Sequence, residues 1–474
     1  MFNKNKKFYI TTSIPYTNAQ PHIGFALEII QADVQARYHR ILGQDVFFLT
    51  GTDEHGQKTF RAAEVAKKQP LDFADELSEK YKELTRILNI SNDDFIRTTD
   101  KKRHLPSVYK LWQEYKARGD IYKKKYKGFY CVGCEAFKTE KELAGGKCIV
   151  HQKEAEIVEE ENYFFKLSKY LPKIKELIAK DKIKIVPENK KNEILNMINQ
   201  GLEDVSFSRA KEKYWGWPVP GDDSQNLYVW QDALPNYISA LGYAENSAKF
   251  NKYWPADVHC IGKDIVKFHT IYWPAMLLSA GLDLPKSIFI HGFINVNGQK
   301  MSKSLGNVID PFDLVKKYGI DAVRYYLLRE ILPTEDGDFT FEKFEARYNS
   351  DLAGGIGNLV ARVLGISKST KTDISKPTKK TKEKTEEIKK NYVSAIEKFK
   401  FNEALLAVWE LISYCDKYIN DEKLWETKKP VVINDLFYSL NEISNLLLLF
   451  LPETAEKIKN AVESRKSEIL FPRI

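Results

Sequence analysis

Two periods of apolar and polar positions alternate along residues 8 to 114. Phe8 to Ile14 and Asp45 to Thr50 are short β-rich runs, while Phe25 to Leu42 and Phe73 to Leu88 carry helical spacing. That β-α-β rhythm predicts a parallel sheet. A second block opens at Leu227-Tyr228-Val229-Trp230 and continues through Asp257 to Gly262, a long helix from Asp264 to Ala280 and a strand from Ser287 to His291. Between the blocks the pattern loses its alternation, so residues 115 to 226 read as an insertion splitting one nucleotide-binding domain. Short helices are expected at Pro311 to Tyr318 and Asp321 to Glu330. Helical spacing then dominates, with Ile396, Phe399, Leu405, Val408, Trp409 and Ile412 marking one apolar stripe of a bundle. Ser367 to Lys390, almost without large apolar side chains, reads as a solvated excursion. The expected segments are 1–114, 115–226, 227–292, 293–350 and 351–474.

A chain of 474 residues exceeds one ordinary core and suggests roughly three domains. Hydrophobic residues at 43% supply that core and exclude a disordered chain. Lys plus Arg number 73 against 65 Asp plus Glu, a net +8 that permits a polyanionic partner without demanding one. Met1 to Lys7 runs straight into the first strand with no room for a signal peptide, and the most apolar run, Leu446 to Leu451, is too short to span a bilayer. A soluble, cytoplasmic protein is expected.

Of five cysteines, Cys131-x2-Cys134-x13-Cys148-x2-His151 has the spacing of a Cys3His zinc knuckle. Four protein ligands close the shell, which makes such a zinc structural. Lys300-Met301-Ser302-Lys303-Ser304, flanked by Gly298 and Gly306, sets two ammonium groups three residues apart and suits a polyanion such as ATP. Pro21-His22-Ile23-Gly24 opens a helix after the first strand, and helix N-termini favour phosphate. His22 taken alone is equally a surface histidine. Gly51-Thr52-Asp53-Glu54-His55-Gly56 follows a strand, so Asp53 either grips a substrate ammonium or belongs to a capped turn. Asp264 repeats that choice, between ribose hydroxyls and a helix cap. Tyr16, Trp230, Tyr237, His269 and Trp273 stand near strand ends, where they form plain core or an apolar cavity with polar anchors, suited to a thioether side chain.

These residues together resemble the class I aminoacyl-tRNA synthetases and, within them, the methionyl-tRNA synthetases in a short form with a single zinc knuckle. The likeness runs from Phe8 to about Leu451. The lysine loop matches the KMSKS signature in full, and Pro21-His22-Ile23-Gly24-Phe25 matches HIGH except at Phe25, whose phenyl ring cannot donate to phosphate. Ile14-Pro15-Tyr16, residues 51–56, Tyr228-Val229-Trp230 and Gly262-Lys263-Asp264-Ile265-Val266 match as well.

The resemblance implies an α/β fold: a Rossmann-like parallel-sheet catalytic domain split by a zinc-binding insertion, then an α-helical bundle that binds the anticodon. It implies ATP-dependent ligation of L-methionine to tRNA(Met), initiator and elongator, through methionyl-adenylate, with Mg2+ accompanying ATP and Zn2+ in the knuckle. Asp53 would take the methionine ammonium, with Ile14, Tyr16, Trp230, Ala233, Tyr237 and His269 around the side chain. His22, Gly24, Asp264, Lys300, Ser302 and Lys303 would serve ATP, with His22, Lys300 and Lys303 meeting the developing charge. Asn358, Arg362 and Trp425 would read the CAU anticodon, although Trp425 is equally a core candidate and Asp416-Lys417 replaces an Asn-Arg pair of the family. The end at Ile474 suggests a monomer lacking an appended dimerisation domain. Two alternatives stay open at this point: a sibling such as the cysteinyl enzyme, and a paralogue that binds tRNA without charging it.

Overall fold

The computed structural model describes residues 6–138, 140–150, 152–301, 306–367, 376–466 and 468–474. Ser302 and Lys303 of the lysine loop and His151 of the knuckle lie outside them. Two compact units divide the chain: Met1–Pro21, Leu42–Thr85 and Ser91–Ile290 form one, and His22–Ile41, Arg86–Ile90 and His291–Ile474 the other.

The first unit is built on a six-stranded sheet of β1 (Lys7–Thr12), β2 (Asp45–Thr52), β3 (Asp94–Arg97), β4 (Lys184–Val186), β5 (Val258–Gly262) and β6 (Ser287–His291), in the order β3-β2-β1-β5-β6-β4. β1 runs parallel to β2 and β5, β2 to β3, and β6 to β4. β1, β2 and β5 are buried almost end to end, which is why their sequences read as continuous apolar runs. The strand order reverses between β1 and β5, and at such a switch point the loops leaving the two carboxyl ends diverge and open a crevice. Residues 13–17 and 263–265 leave the sheet there, and residues 53–56 leave the neighbouring end of β2.

Within the insertion, Ile121–Cys131 pairs antiparallel with Glu156–Phe165, placing Lys125 opposite Glu161 and Lys127 opposite Glu159. Opposite charges across a ladder hold register on an exposed face. The insertion also returns to the main sheet, because β4, between the helices Leu171–Ala179 and Glu188–Asn199, adds the edge strand beside β6.

Three expectations need correction. Leu227-Tyr228-Val229-Trp230 does not open a sheet strand: Asp222–Leu227 pairs antiparallel with Ser208–Ala210 and Pro218–Val219, and a helix runs over Val229–Ala233. A short run buried all round has no period that separates strand from helix. The helix expected from Asp264 to Ala280 forms as a continuous helical run but not a regular one: a 3-10 turn at Lys263–Ile265 leads through Val266 and Lys267 into a π-helical turn at Phe268–Tyr272 and an α-helix at Trp273–Ala280, with Pro274 at its start. Residues 379–390 of the expected excursion belong to a 19-residue helix, Lys379–Glu397, whose buried face is Thr381, Thr385, Ile388, Tyr392, Ala395 and Ile396. Threonine fills the positions where large apolar residues were sought.

The second unit holds a small sheet, Ile294–Val296 between Gln299–Lys300 and Gly337–Phe339, and a helical bundle. Its centre is Arg324. Fully buried, this guanidinium donates to Asp33 Oδ2 at 2.7 Å and to the carbonyls of Leu88, Leu449 and Phe450 at 3.1, 3.1 and 2.7 Å. One side chain therefore joins the helix Ile23–Ile41 to the turn at Leu88 and to one loop of the bundle, at Leu449 and Phe450. Among the described residues no helix is long and apolar enough to cross a membrane.

Candidate functional site

In the first unit the loop after β1 and the end of β2 are stitched together backbone to backbone. The Asp53 amide donates to Pro15 O at 2.9 Å and the Thr17 amide to Asp53 O at 3.0 Å. Of the two adjacent carboxylates, Glu54 is already used, because Arg97 donates to both its oxygens at 2.6 and 3.0 Å. Asp53 is buried, and its Oδ1 has no hydrogen-bond partner among the described residues. Burial, then the nearby charges of Asp232 and Glu135, push its carboxyl well above the usual range, with Lys58 opposing. A buried acceptor pressed by two other acids favours a bound cation.

Aromatic rings continue from there. Tyr16 meets Trp230 edge to face at 6.4 Å, Trp230 stacks on Phe268 at 3.7 Å and meets His269 edge to face at 6.0 Å. His269 is fixed on both nitrogens: Nε2 lies 2.7 Å from Tyr237 Oη and Nδ1 lies 3.0 Å from the Ile265 carbonyl. The carbonyl can only accept, so neutral His269 carries its proton on Nδ1 and accepts from the tyrosine at Nε2. Ala233, buried, sits one helical turn after Trp230, and Ile14 is half-buried in the loop after β1. Asp264, in the turn after β5, is exposed.

In the second unit, His22 precedes the helix Ile23–Ile41, and its Nδ1 accepts from the Gly24 amide at 3.1 Å. An amide cannot accept, so the neutral imidazole carries its proton on Nε2. A Cβ at Gly24 would stand 2.9 Å from His22 Cε1, so only glycine lets the ring fold over the helix start, and the same point lies 3.6 Å from Met301 Cε. The Ile23 amide donates to Ile309 O at 3.1 Å. Segments nearly three hundred residues apart thus meet. Lys300 is placed by a hairpin in which Asn295 pairs with Lys300 around Asn297-Gly298, both at positive φ, the pairing that a tight two-residue turn requires.

Cys131, Cys134 and Cys148 present sulphurs within 4.8 Å of one another, Cys134 and Cys148 at 3.6 Å. Tetrahedral zinc with bonds of about 2.3 Å needs sulphurs roughly 3.8 Å apart, so the cluster fits that ion. The Cys134 amide donates to Cys131 O at 3.1 Å, the tight turn the spacing implied. Burial pushes the Cys134 thiol up to about 12, and a bound cation would be what draws thiolates from it.

In the bundle, Asn358 and Arg362 stand one turn apart on the helix Asn358–Ile366. Arg362 donates to Asp416 Oδ1 at 2.7 Å and to Asn420 Oδ1 at 2.8 Å, so the departure at Asp416 supplies a clamp for the guanidinium. Trp425 is 50% exposed, which removes the reading of it as core.

The family model for tRNA synthetases class I (M) matches residues 8–146 and 138–364. The chain is 46% identical over 470 residues to methionine–tRNA ligase of Thermotoga maritima, covering 95% of this chain and 74% of that one. The chain belongs to the methionyl-tRNA synthetase family. A relative from Brucella suis is 40% identical over 470 residues and 91% covered. Among solved structures, Mycobacterium tuberculosis methionyl-tRNA synthetase in complex with methionyl-adenylate superposes with a TM-score of 0.90 at 37% identity, over 96% of this chain and 93% of that one. The apo form of the same enzyme gives 0.84 at 32%.

Reading the chain as a methionyl-tRNA synthetase by its signatures overlooked Asp232, His104, Lys58 and Glu135. Glu135, fully buried beside Cys134, accepts from the Lys58 amide at 2.6 Å, and the Lys58 ammonium lies 4.1 Å from the centre of the Tyr16 ring. Arg209, buried among the rings of Tyr130, Phe137 and Tyr228, was missed too. None of these has a spacing signal, because each partner comes from a distant segment.

Proposed function

We propose that this chain activates L-methionine with Mg-ATP, forming methionyl-adenylate and pyrophosphate, and then transfers the methionyl group from the adenylate to a terminal hydroxyl of tRNA(Met), initiator and elongator, releasing AMP. The observation that carries the reading is the Asp53 oxygen, without a hydrogen-bond partner among the described residues, at the head of the Tyr16, Trp230, His269 and Tyr237 chain. An α-ammonium would satisfy that oxygen, and an unbranched thioether suits aromatic surroundings with one polar anchor.

In this reading Ile14, Tyr16, Trp230, Ala233, Tyr237 and His269 surround the methionine side chain. The substrate carboxylate attacks the α-phosphorus and expels pyrophosphate, which is chiefly a matter of positioning and of matching charge on the phosphate oxygens. His22 would donate from Nε2, Lys300 and Lys303 would add positive charge, Gly24 and Ser302 would lie along the triphosphate, and Asp264 would accept from ribose. Cys131, Cys134 and Cys148 with His151 would hold a structural zinc, which orders the knuckle when bound and takes no part in the chemistry. Asn358, Arg362 and Trp425 would read splayed anticodon bases by hydrogen bonding and stacking. A cytoplasmic, monomeric enzyme completes the proposal; reduced thiols suit that compartment, and light scattering would give the mass.

The test is amino-acid-dependent ATP–pyrophosphate exchange with each of the twenty amino acids, followed by charging of tRNA with a CAU anticodon. Methionine alone should support exchange, and methionyl-tRNA should form. Exchange with cysteine, or exchange without charging, would overturn the reading.

A further inference from the structure

Close to Asp53 lies a buried cluster whose histidines have no part in the reaction above. Asp232, on the helix that carries Trp230 and Ala233, holds His55 Nδ1 on Oδ2 at 2.7 Å and His104 Nε2 on Oδ1 at 3.1 Å. His104 Nε2 also lies 3.0 Å from the Asp232 carbonyl, and its Nδ1 lies 2.9 Å from Ser239 Oγ. All three side chains are at most 3% exposed. The carbonyl and carboxylate both require a proton on His104 Nε2, so neutral His104 accepts from Ser239 at Nδ1. His55 is wedged edge-on between the rings of Trp215 at 4.8 Å and Trp217 at 5.0 Å, so it has little freedom except along its bond to Asp232.

Three ionisable side chains in a dry interior are a costly way to fill space, because apolar residues of similar volume usually serve stability as well or better. What the cluster supplies is geometry. His55 is two residues from Asp53, and Asp232 lies between Trp230 and Ala233. We propose that Asp232 is a positioning residue for the amino-acid substrate: through His55 and His104 it locks the ammonium-gripping segment to the helix lining the side-chain pocket, and so sets how long an amino acid fits between them. This rests on the reading of Asp53 and Trp230 as the amino-acid site. Asp232 lends Asp53 a nearby negative charge, and as a positioning residue it acts through the spacing of the groups that hold the amino acid; the two His55 variants, which keep that charge, isolate the spacing.

The experiment compares His55→Ala, His55→Asn, Asp232→Asn and His104→Gln by pyrophosphate exchange, with methionine and ATP varied separately and norleucine as a competing amino acid. Removing a buried charge-assisted hydrogen bond costs enough to raise the KM for methionine by about 10-fold in His55→Ala and Asp232→Asn. The KM for ATP should stay within about twofold of wild type, and discrimination against norleucine should narrow. The asparagine amide can donate from near the position of His55 Nδ1, so His55→Asn should recover most of the methionine KM. His104→Gln, whose amide can replace Nε2, should do the same. Parallel losses in both KM values, or His55→Asn behaving like His55→Ala, would overturn the proposal. Where Asp232→Asn does not fold, the two His55 variants decide. Wild-type exchange separates the levels: its absence with methionine defeats the functional reading, whereas normal wild-type exchange with uniformly impaired variants defeats only this inference.

Discussion

Asp53 is bridged to Tyr16 through paired backbone hydrogen bonds on either side, yet one of its carboxylate oxygens accepts nothing among the described residues. The backbone is anchored while the charge is left unsatisfied, an arrangement that costs stability until a cation arrives.

Asp53→Asn should therefore stabilise the free protein at neutral pH and weaken substrate recognition. A group whose folded pKa is raised, here by burial and then by Asp232 and Glu135, contributes stability below its unfolded value and loses it as pH rises through the folded one. The melting temperature of Asp53→Asn should exceed that of wild type above that range. Methionine affinity should fall by about 30-fold or more, as expected when one partner of a buried charge pair is removed. A methionine concentration that saturates wild type should raise its melting temperature far more than that of Asp53→Asn. Wild-type affinity should itself weaken as pH falls and Asp53 takes a proton.

The cluster at Cys131, Cys134 and Cys148 predicts one zinc per chain by elemental analysis. A strong chelator should remove it, expose titratable thiols and lower the melting temperature, because the knuckle has few other means of holding its turns. Cys134→Ala should copy that loss, and a zinc-free protein whose melting temperature is unchanged would contradict it.

Phe25→His should raise the pyrophosphate-exchange rate while lowering the melting temperature. Phe25 is 7% exposed, so an imidazole there gives up buried apolar contact, while it restores a donor worth as much as about 3 kcal/mol of transition-state stabilisation in other active sites. Equal exchange rates would mean that another donor already fills the role.

Arg362→Ala should raise the KM for tRNA(Met) by about 10-fold or more without changing pyrophosphate exchange, since charge-assisted hydrogen bonds to bases are worth about 1–3 kcal/mol each. Asp416→Ala should give a smaller effect in the same direction, because it loosens the clamp while leaving the guanidinium. Any change in exchange would place Arg362 elsewhere in function.

Arg324→Ala should be among the most destabilising single changes in the second unit. It would take the Arg324 donor from three carbonyls and from Asp33, which keeps Arg37 at 2.7 Å, and breaking one partner of a buried pair costs about 3–5 kcal/mol. Thermal unfolding should show a large drop in the melting temperature, and the double change with Asp33→Ala should be less than additive.

Local pattern disclosed β1, β2, β5 and β6, because strands buried on both faces write themselves as unbroken apolar runs. It misread Lys379–Glu397, where Thr381 and Thr385 occupy the buried face, and Val229–Ala233, which is too short and too buried to show a period. The candidate residues came from contiguous signatures: His22 with Gly24, Asp53, Lys300 and the cysteines each sit in a short segment whose composition betrays it.

What the sequence determined by itself was the chemistry available: a lysine pair, a histidine at a helix start, an acid after a strand, three cysteines and a histidine at metal-binding spacing, and an alternation that demands a parallel sheet. Tertiary structure decided which of these are spoken for. Glu54 and Asp53 are neighbours in sequence, and only the approach of Arg97 neutralises the first and leaves the second available. His55 lies in the segment 51–56 that the sequence marks, but its partnership with Asp232 and His104 has no pattern until folding brings three distant segments within hydrogen-bond reach, since hydrogen-bond partnership depends on separations of about 3 Å that sequence distance does not encode.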